Sequence, residues 1–318
     1  MFGSYRIVKT IGRGNNGIVY LAHQEMLDRL VACKILDPEE GDPAEYAEAF
    51  FREARTAAKM SHPNIVQALD VGKVDDYYFF IMEFVDGKML EYIRENAPEL
   101  LSPEFLTGMG IKLANALNYA WQKHKIVHGD IKPANILIDL KNGTPKLADL
   151  GVARIAGNPN SQEIMATPLY VAPEVIISPD SPPDPRSDIY SFGVMLYELY
   201  CGEPPFDAPM EELLQKHVYE EPLPLLQRNP DVNVKLAAFI DRMLKKNIDD
   251  RPQSWLEVEQ TLIAIEAEMT STPTAIPPAE NSSEQNFFAT TWFKILLAVI
   301  GGVIAGLLVL LILDFAAR

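Results

Sequence analysis

The chain has 318 residues, 48% apolar and 23% charged, with 28 Lys and Arg against 44 Asp and Glu. That length suggests about two domains, and the composition excludes a disordered, collagen-like or low-complexity polypeptide. A net charge of −16 argues against a nucleic-acid-binding face, which needs basic residues; the two cysteines, Cys33 and Cys201, are too few for a disulfide framework and fit a reducing compartment.

In residues 5–36, short apolar runs (YRIVKTIG, GIVYLAH, RLVACKIL) alternate with turn residues and predict three antiparallel strands. Between the first two lies Gly12-Arg13-Gly14-Asn15-Asn16-Gly17. Glycines let a strand–strand turn bring backbone N–H groups onto phosphate oxygens where a Cβ would clash. The same G-x-G-x-x-G spacing serves dinucleotides only when it opens a helix after a strand, and here both neighbours are strand-like. Lys34 falls on the third strand. It is either a point charge for bridging phosphates or an ordinary strand lysine. Residues 45–60 have helical spacing, with Phe50, Ala54, Ala57 and Ala58 on one side. Glu53 on that helix can pair with Lys34, and Glu45 and Glu48 compete for the same role. Residues 77–84 (YYFFIMEF) predict a further strand.

Helices dominate the remainder. Ser102 is an N-cap followed by Pro103 at the first helical position, opening a helix to about residue 123. After it comes His128-Gly129-Asp130-Ile131-Lys132-Pro133-Ala134-Asn135, which packs a carboxylate, a cation and an amide into six residues. Asp130 can accept or orient a hydroxyl proton, Lys132 can neutralise a transferring phosphoryl group, and the Asn135 carbonyl can ligate Mg²⁺. Asp149, followed by Leu150 and Gly151, suits a hard metal ligand on a short loop. Residues 186–201 are apolar almost all round and predict a buried helix. Two more helices are predicted at 232–244 and 252–266. Residues 270–286 (TSTPTAIPPAENSSEQN) have a linker composition. Residues 295–313 carry no charge, and nineteen helical residues span roughly 28 Å, close to a bilayer's hydrocarbon core. Trp292 is placed as an interfacial anchor and Lys294 can snorkel. Gly302 and Gly306 form a G-x-x-x-G pair suited to helix–helix approach in a membrane.

These residues resemble the protein-kinase fold, in particular the eukaryotic-like Ser/Thr kinases of bacteria of the membrane-anchored type. GRGNNG, VACK, HGDIKPAN, DLG and Ala172-Pro173-Glu174 stand in the order of that family's signatures. The resemblance implies an α+β bilobal domain over 5–268, with a β-rich N-lobe at 5–84 and a helical C-lobe at 88–268. A linker at 269–291, one C-terminal transmembrane helix at 292–313 and a short tail at 314–318 complete the expected organisation.

The resemblance also implies ATP under Ile11, Gly12, Arg13, Gly14, Asn15, Asn16, Gly17 and Val19. Ala32, Lys34, Met82, Glu83, Val85 and Leu137 complete the nucleotide site, with Met82 as gatekeeper and Asp86 near the ribose. Glu53 pairs with Lys34, Asp130 is the catalytic base, Lys132 marks Ser/Thr specificity, and Thr167 in ATPLYVAPE supports Asp130 and Lys132 beneath the substrate site. Asn135 and Asp149 hold Mg²⁺, with Mn²⁺ as a substitute. Glu174 is expected to pair with Arg251, and Asp188 to brace the catalytic loop. The implied partners are proteins with Ser or Thr acceptors, membrane lipid and a second copy through Gly302 and Gly306. The expected location is the inner cell membrane, single-pass, with the catalytic domain cytoplasmic.

Three positions depart from the pattern. Gly129 replaces the usual Arg before the catalytic Asp, which suggests activity without loop phosphorylation. Leu150 replaces Phe, and Ala134 stands where some relatives have Glu. A pseudokinase scaffold that docks partners is the alternative reading.

Overall fold

The computed structural model describes residues 3–14, 17–35, 51, 54–75, 77–149, 154–155 and 167–271. The chain divides into two units, Met1–Thr270 and Ser271–Arg318. The span and the glycine pair expected near the C-terminus lie outside the described residues. Among those that are described, no helix is long and apolar enough to cross a membrane.

The N-terminal lobe is an antiparallel sheet in the order β1-β2-β3-β5-β4. Its strands are β1 (Tyr5–Gly14), β2 (Gly17–Gln24), β3 (Arg29–Ile35), β4 (Ala68–Val74) and β5 (Tyr77–Glu83). Register decides what each face holds, because directly opposed residues share a face. Cys33 opposes Tyr20 and Ile81, and Val31 opposes Ala22. This face, with Tyr5, Ile35 and Phe79, forms the lobe's own apolar cluster. Lys34 opposes Val19 and Phe80, and Ala32 opposes Leu21 and Met82. That second face joins the main core, where Phe80 is buried and Met82 packs against it.

Strand β4 is absent from the sequence-based expectation, and Gly72 explains why. Glycine weakens a strand signal. Here it opposes Phe79, and a Cβ would lie 2.5 Å from the Phe79 ring. The glycine is therefore the seat of its cross-strand aromatic. Of the helix expected over 45–60, residues 51 and 54–60 are described; 51 and 54–57 are helical, and 58–60 turn out of the helix before the expected end.

The C-terminal lobe is helical, with two small sheets on its upper side. Strands β6 (Gly87–Met89), β8 (Ile136–Asp139) and β9 (Pro145–Leu147) form one. Strands β7 (Ile126–Val127) and β10 (Arg154–Ile155) form the other. The helix Pro103–His124 begins as expected, with Ser102 Oγ accepting from Phe105 N at 3.2 Å. Helix Pro185–Cys201 is the axis of the lobe: every residue from Asp188 to Tyr200 is buried. Phe192 meets Trp255 edge-to-face at 5.4 Å. Gly193 lets the neighbouring helix Val234–Met243 close in, since a Cβ there would stand 2.7 Å from Met243 Cβ. The last helix, Trp255–Ser271, runs past the expected boundary at 268. Met269 packs on the core, and Thr270 Oγ1 bonds back to Glu266 O at 3.1 Å, so helical order persists into residues whose composition reads as linker.

Candidate active site

The nucleotide-facing candidates sit where the strand register puts them. Gly12 opposes Val19 and Gly14 opposes Gly17 across the β1–β2 hairpin. Gly17 has φ +127°, a conformation open to glycine and strained for other residues. Asn15 and Asn16, at the tip, lie outside the described residues, as does Glu53. Lys34 is buried on the same sheet face as Val19, Ala32 and Met82. Below β5, Val85 is buried, and neither its N–H nor its C=O makes a hydrogen bond among the described residues. Buried backbone groups are nearly always paired, so an open pair here fits a flat ligand edge with one donor and one acceptor. Leu137 lies on β8 opposite Met89 and Lys146, with its neighbours Ile136 and Ile138 buried on the other face.

The segment 128–135 between β7 and β8 is held by one buried carboxylate. Asp188 Oδ2 accepts from His128 N at 2.7 Å and Oδ1 from Gly129 N at 2.8 Å. Burial pushes the Asp188 carboxyl above the usual range, opposed by His128 and these two backbone donors. Gly129 has φ +80°, so the residue that departs from the family pattern also occupies a backbone position where a side chain is strained. The buried His128 ring faces Ala148 O through Nε2 at 3.2 Å and accepts from Asp130 N on Nδ1 at 3.2 Å. The network assigns its proton to Nε2.

Three candidates converge on the carboxylate of a fourth, Asp130. Asp130 Oδ1 accepts from Thr167 Oγ1 at 2.7 Å and from Thr167 N at 3.1 Å. Its Oδ2 meets Lys132 Nζ at 2.6 Å and Asn135 Nδ2 at 2.9 Å. Lys132 Nζ also donates to Thr167 Oγ1. Burial raises the Asp130 carboxyl, yet the bonds and charge from Lys132 and the bonds from Thr167 outweigh it, so its pKa lies below the ordinary value.

Asn135 is buried and spends both amide protons on Asp130, the second on its backbone O at 2.7 Å. Its Oδ1 has no partner among the described residues. Asp149 follows β9 in the left-handed region at φ +56°. A carbonyl oxygen and a carboxylate are hard donors that fit a Mg²⁺-like ion sharing its remaining sites with phosphates and water. No cluster of three or more His, Cys, Asp or Glu among the described residues offers an all-protein cage.

Beyond Thr167 the chain is anchored to the helical core. Glu174 pairs with Arg251 through both oxygens, at 2.8 and 2.7 Å, as the sequence led us to expect. Ser187 Oγ adds a third bond to Glu174 at 2.7 Å. Tyr170 donates to the buried Glu198 at 2.7 Å, and Arg94 binds the same carboxylate. Arg94, Glu198, Asn64 and the Lys146–Glu83 pair (2.9 Å) went unnoticed in the sequence. They are common residue types joined across long separations, with no local spacing to mark them.

A family model for the protein kinase domain matches residues 5–262. The serine/threonine-protein kinase PknB of Mycolicibacterium smegmatis is 36% identical over 293 residues, covering 88% of this chain and 46% of that protein. Pkn2 of Myxococcus xanthus is 33% identical over 309 residues (91% and 37%). PrkC of Bacillus subtilis is 37% identical over 250 residues (77% and 38%). The chain thus spans less than half the length of these curated relatives. With the β-sheet lobe, the helical lobe and the matched segment in agreement, the chain belongs to the protein kinase family, among the bacterial eukaryotic-like Ser/Thr protein kinases, enzymes that use ATP and a divalent metal.

Proposed function

We propose that this chain transfers the γ-phosphoryl group of ATP, with Mg²⁺ or Mn²⁺, to Ser and Thr hydroxyls of proteins. The observation that carries this reading is the Asp130 carboxylate, fixed by Thr167, Lys132 and Asn135 with every contact at 3.1 Å or less. Asp130 orients the acceptor hydroxyl and takes its proton. Lys132 stands beside it to offset charge on the transferring group, and Thr167 holds both in register. Lys34 holds the nucleotide phosphates, with Glu53 as the partner that the sequence offers it. Val85 and the Glu83 backbone take the base, and the glycine hairpin at 12–17 covers it. Asn135 and Asp149 would hold the divalent ion, which supplies charge stabilisation for the phosphates. In vitro transfer from labelled ATP to a basic protein acceptor tests the reading. Lys34→Met is expected to abolish transfer, and a Lys34→Met protein as active as wild type overturns it. A wild-type protein that binds ATP without transferring phosphate favours the scaffold instead.

Activity before any loop phosphorylation follows from Gly129, since no cationic side chain stands there to pair with a loop phosphate. Autophosphorylation then has another role, with Ser161 and the Ser and Thr residues of the linker as acceptors, since the Thr167 hydroxyl is committed to Asp130 and Lys132. We further propose that residues 292–313 span the inner membrane and that Gly302 and Gly306 bring two copies together there. The full chain is expected in the membrane fraction, and a chain ending at 291 in the soluble one. Gly302→Ile with Gly306→Ile is expected to lower the yield of crosslinked dimer. An unchanged yield removes the dimer proposal and leaves the kinase reading intact.

A further inference from the structure

Strand β9 ends two residues before Asp149, and residues 64–66 hold that strand along the edge opposite β8. We propose that Asn64 is a positioning residue for Asp149: its grip on β9 sets where the Asp149 carboxylate meets the metal. The inference rests on Asp149 being a metal ligand.

Asn64 is 7% exposed. Its Nδ2 donates to Pro145 O at 2.8 Å, and its own backbone O accepts from Leu147 N at 2.8 Å. Val66 N donates to Leu147 O at 2.9 Å, and Ile65 bridges Leu147 in parallel. Proline has no N–H, so Pro145 offers the 64–66 edge only its carbonyl, and that is the atom the Asn64 amide holds. The residue after β9 is fixed as well: Ala148 N donates to Asn135 O at 2.8 Å, and Ala148 O faces His128 Nε2 at 3.2 Å. Asp149 then turns into a left-handed conformation, which is unfavourable for an L-residue and persists only where its surroundings over-determine it. Loosening β9 at Pro145 therefore relaxes the chain at the strained ligand.

Asn64 is itself pinned from the helical lobe. Its N–H donates to His62 Nδ1 at 3.1 Å, and His62 Nε2 meets Asn115 Oδ1 at 2.9 Å. Asn115 Nδ2 in turn donates to Glu259 on the last helix at 2.7 Å. The side chain at 64 thus arrives oriented, and an amide is the group the position requires. A carboxylate of the same size has no proton to give Pro145 O.

The test compares the full wild-type chain with Asn64→Ala, Asn64→Asp and Asp149→Asn. Binding of a non-hydrolysable ATP analogue is titrated calorimetrically at stepped Mg²⁺, alongside steady-state rates and amide hydrogen exchange at 147–149. Partners that orient a metal ligand typically cost about tenfold or more in metal affinity when removed. Both Asn64 variants are accordingly expected to need about tenfold more Mg²⁺ for half-maximal analogue binding. The KM for the protein acceptor stays unchanged, and exchange at 147–149 rises. Asn64→Asp keeps the packing volume if Asn64→Ala is too unstable to purify. Folded variants with wild-type Mg²⁺ dependence overturn the proposal, even if kcat falls. Failure of both variants to fold assigns Asn64 a purely structural role and also overturns it. Wild-type Mg²⁺ dependence in Asp149→Asn instead overturns the ligand reading, and this inference with it.

Discussion

Asp130→Asn is expected to lower kcat about a thousandfold, since a positioned proton acceptor contributes on the order of 10²–10⁴, while nucleotide affinity stays within about a factor of two of wild type. The amide keeps the size of the side chain and its bond from Thr167 but cannot take a proton. A variant retaining a tenth of the wild-type rate would remove Asp130 from that role. The pH profile gives an independent check. Desolvation alone raises the Asp130 carboxyl, and Lys132 and Thr167 more than reverse it, leaving a depressed value. A depressed carboxylate is ionised in the folded protein down to a lower pH than in the unfolded chain. Its contribution to stability is present above the unfolded value, near 3.8, and is lost as pH falls through the folded one. Between pH 5 and 8, therefore, no acid limb in kcat should arise from Asp130. Lys132→Met deletes one bond and one charge that hold the value down and leaves the desolvation in place. Its acid limb is expected to move upward. A Lys132→Met profile identical to wild type would mean that the ion pair at 2.6 Å does not set the titration.

How much of this site is legible in the sequence depends on where the partners lie along the chain. Asp130, Lys132 and Asn135 occupy six consecutive residues, so one short turn forces them together and the spacing exposes them. Thr167 is 35 residues from Lys132, and only the likeness of ATPLYVAPE to a family segment marks it. Asn64 and Pro145 are 81 apart, and Arg94 and Glu198 are 104 apart. Nothing local distinguishes those residues from surface ones, because their meeting is decided by how the helices and the small sheets pack. The same distinction holds for the fold. Helix Pro185–Cys201 declares itself by being apolar all round, and β1, β2, β3 and β5 by seven or more residues each. Strands β6 to β10 have two to four residues, fewer than the pattern needs to show a period of two. Each of those short strands exists because a neighbour supplies its edge.

Arg251→Met is expected to destabilise the domain by about 3 kcal/mol, the low end for breaking an ion pair from one side, because the Glu174 carboxylate left behind is 28% exposed. Against a typical stability of about 5–15 kcal/mol, that is a large share, and urea unfolding would show it as a fall in midpoint with little change in slope. Arg251 is fully buried and makes five bonds: two to Glu174, one each to Lys245 O and Lys246 O, and one to Arg186 O. Its guanidinium thus joins three separate pieces of chain: the helix Pro173–Ile177 after the Thr167 segment, the start of helix Pro185–Cys201, and the turn after Met243. Methionine fills much of the volume but takes the Arg251 donors away from three carbonyls and leaves Glu174 with Ser187 Oγ alone of its three bonds. Arg251→Lys is expected to recover less than half of the loss, because an ammonium cannot span both Glu174 oxygens and the carbonyls from one fork. The partner variant separates charge from geometry. Glu174→Gln keeps the size of the side chain but turns one of its two acceptor oxygens into an NH₂ that faces an Arg251 N–H, and is expected to cost about 1–3 kcal/mol, as for one charged hydrogen-bond partner lost. Its larger effect should fall on acceptor KM if the proposed reading holds, because Glu174 lies seven residues from Thr167, which that reading sets beside the acceptor hydroxyl. A Glu174→Gln protein that loses stability as far as Arg251→Met, with acceptor KM unchanged, would reduce the pair to a structural pin. A raised acceptor KM in a stable protein would tie it to the docking surface as well.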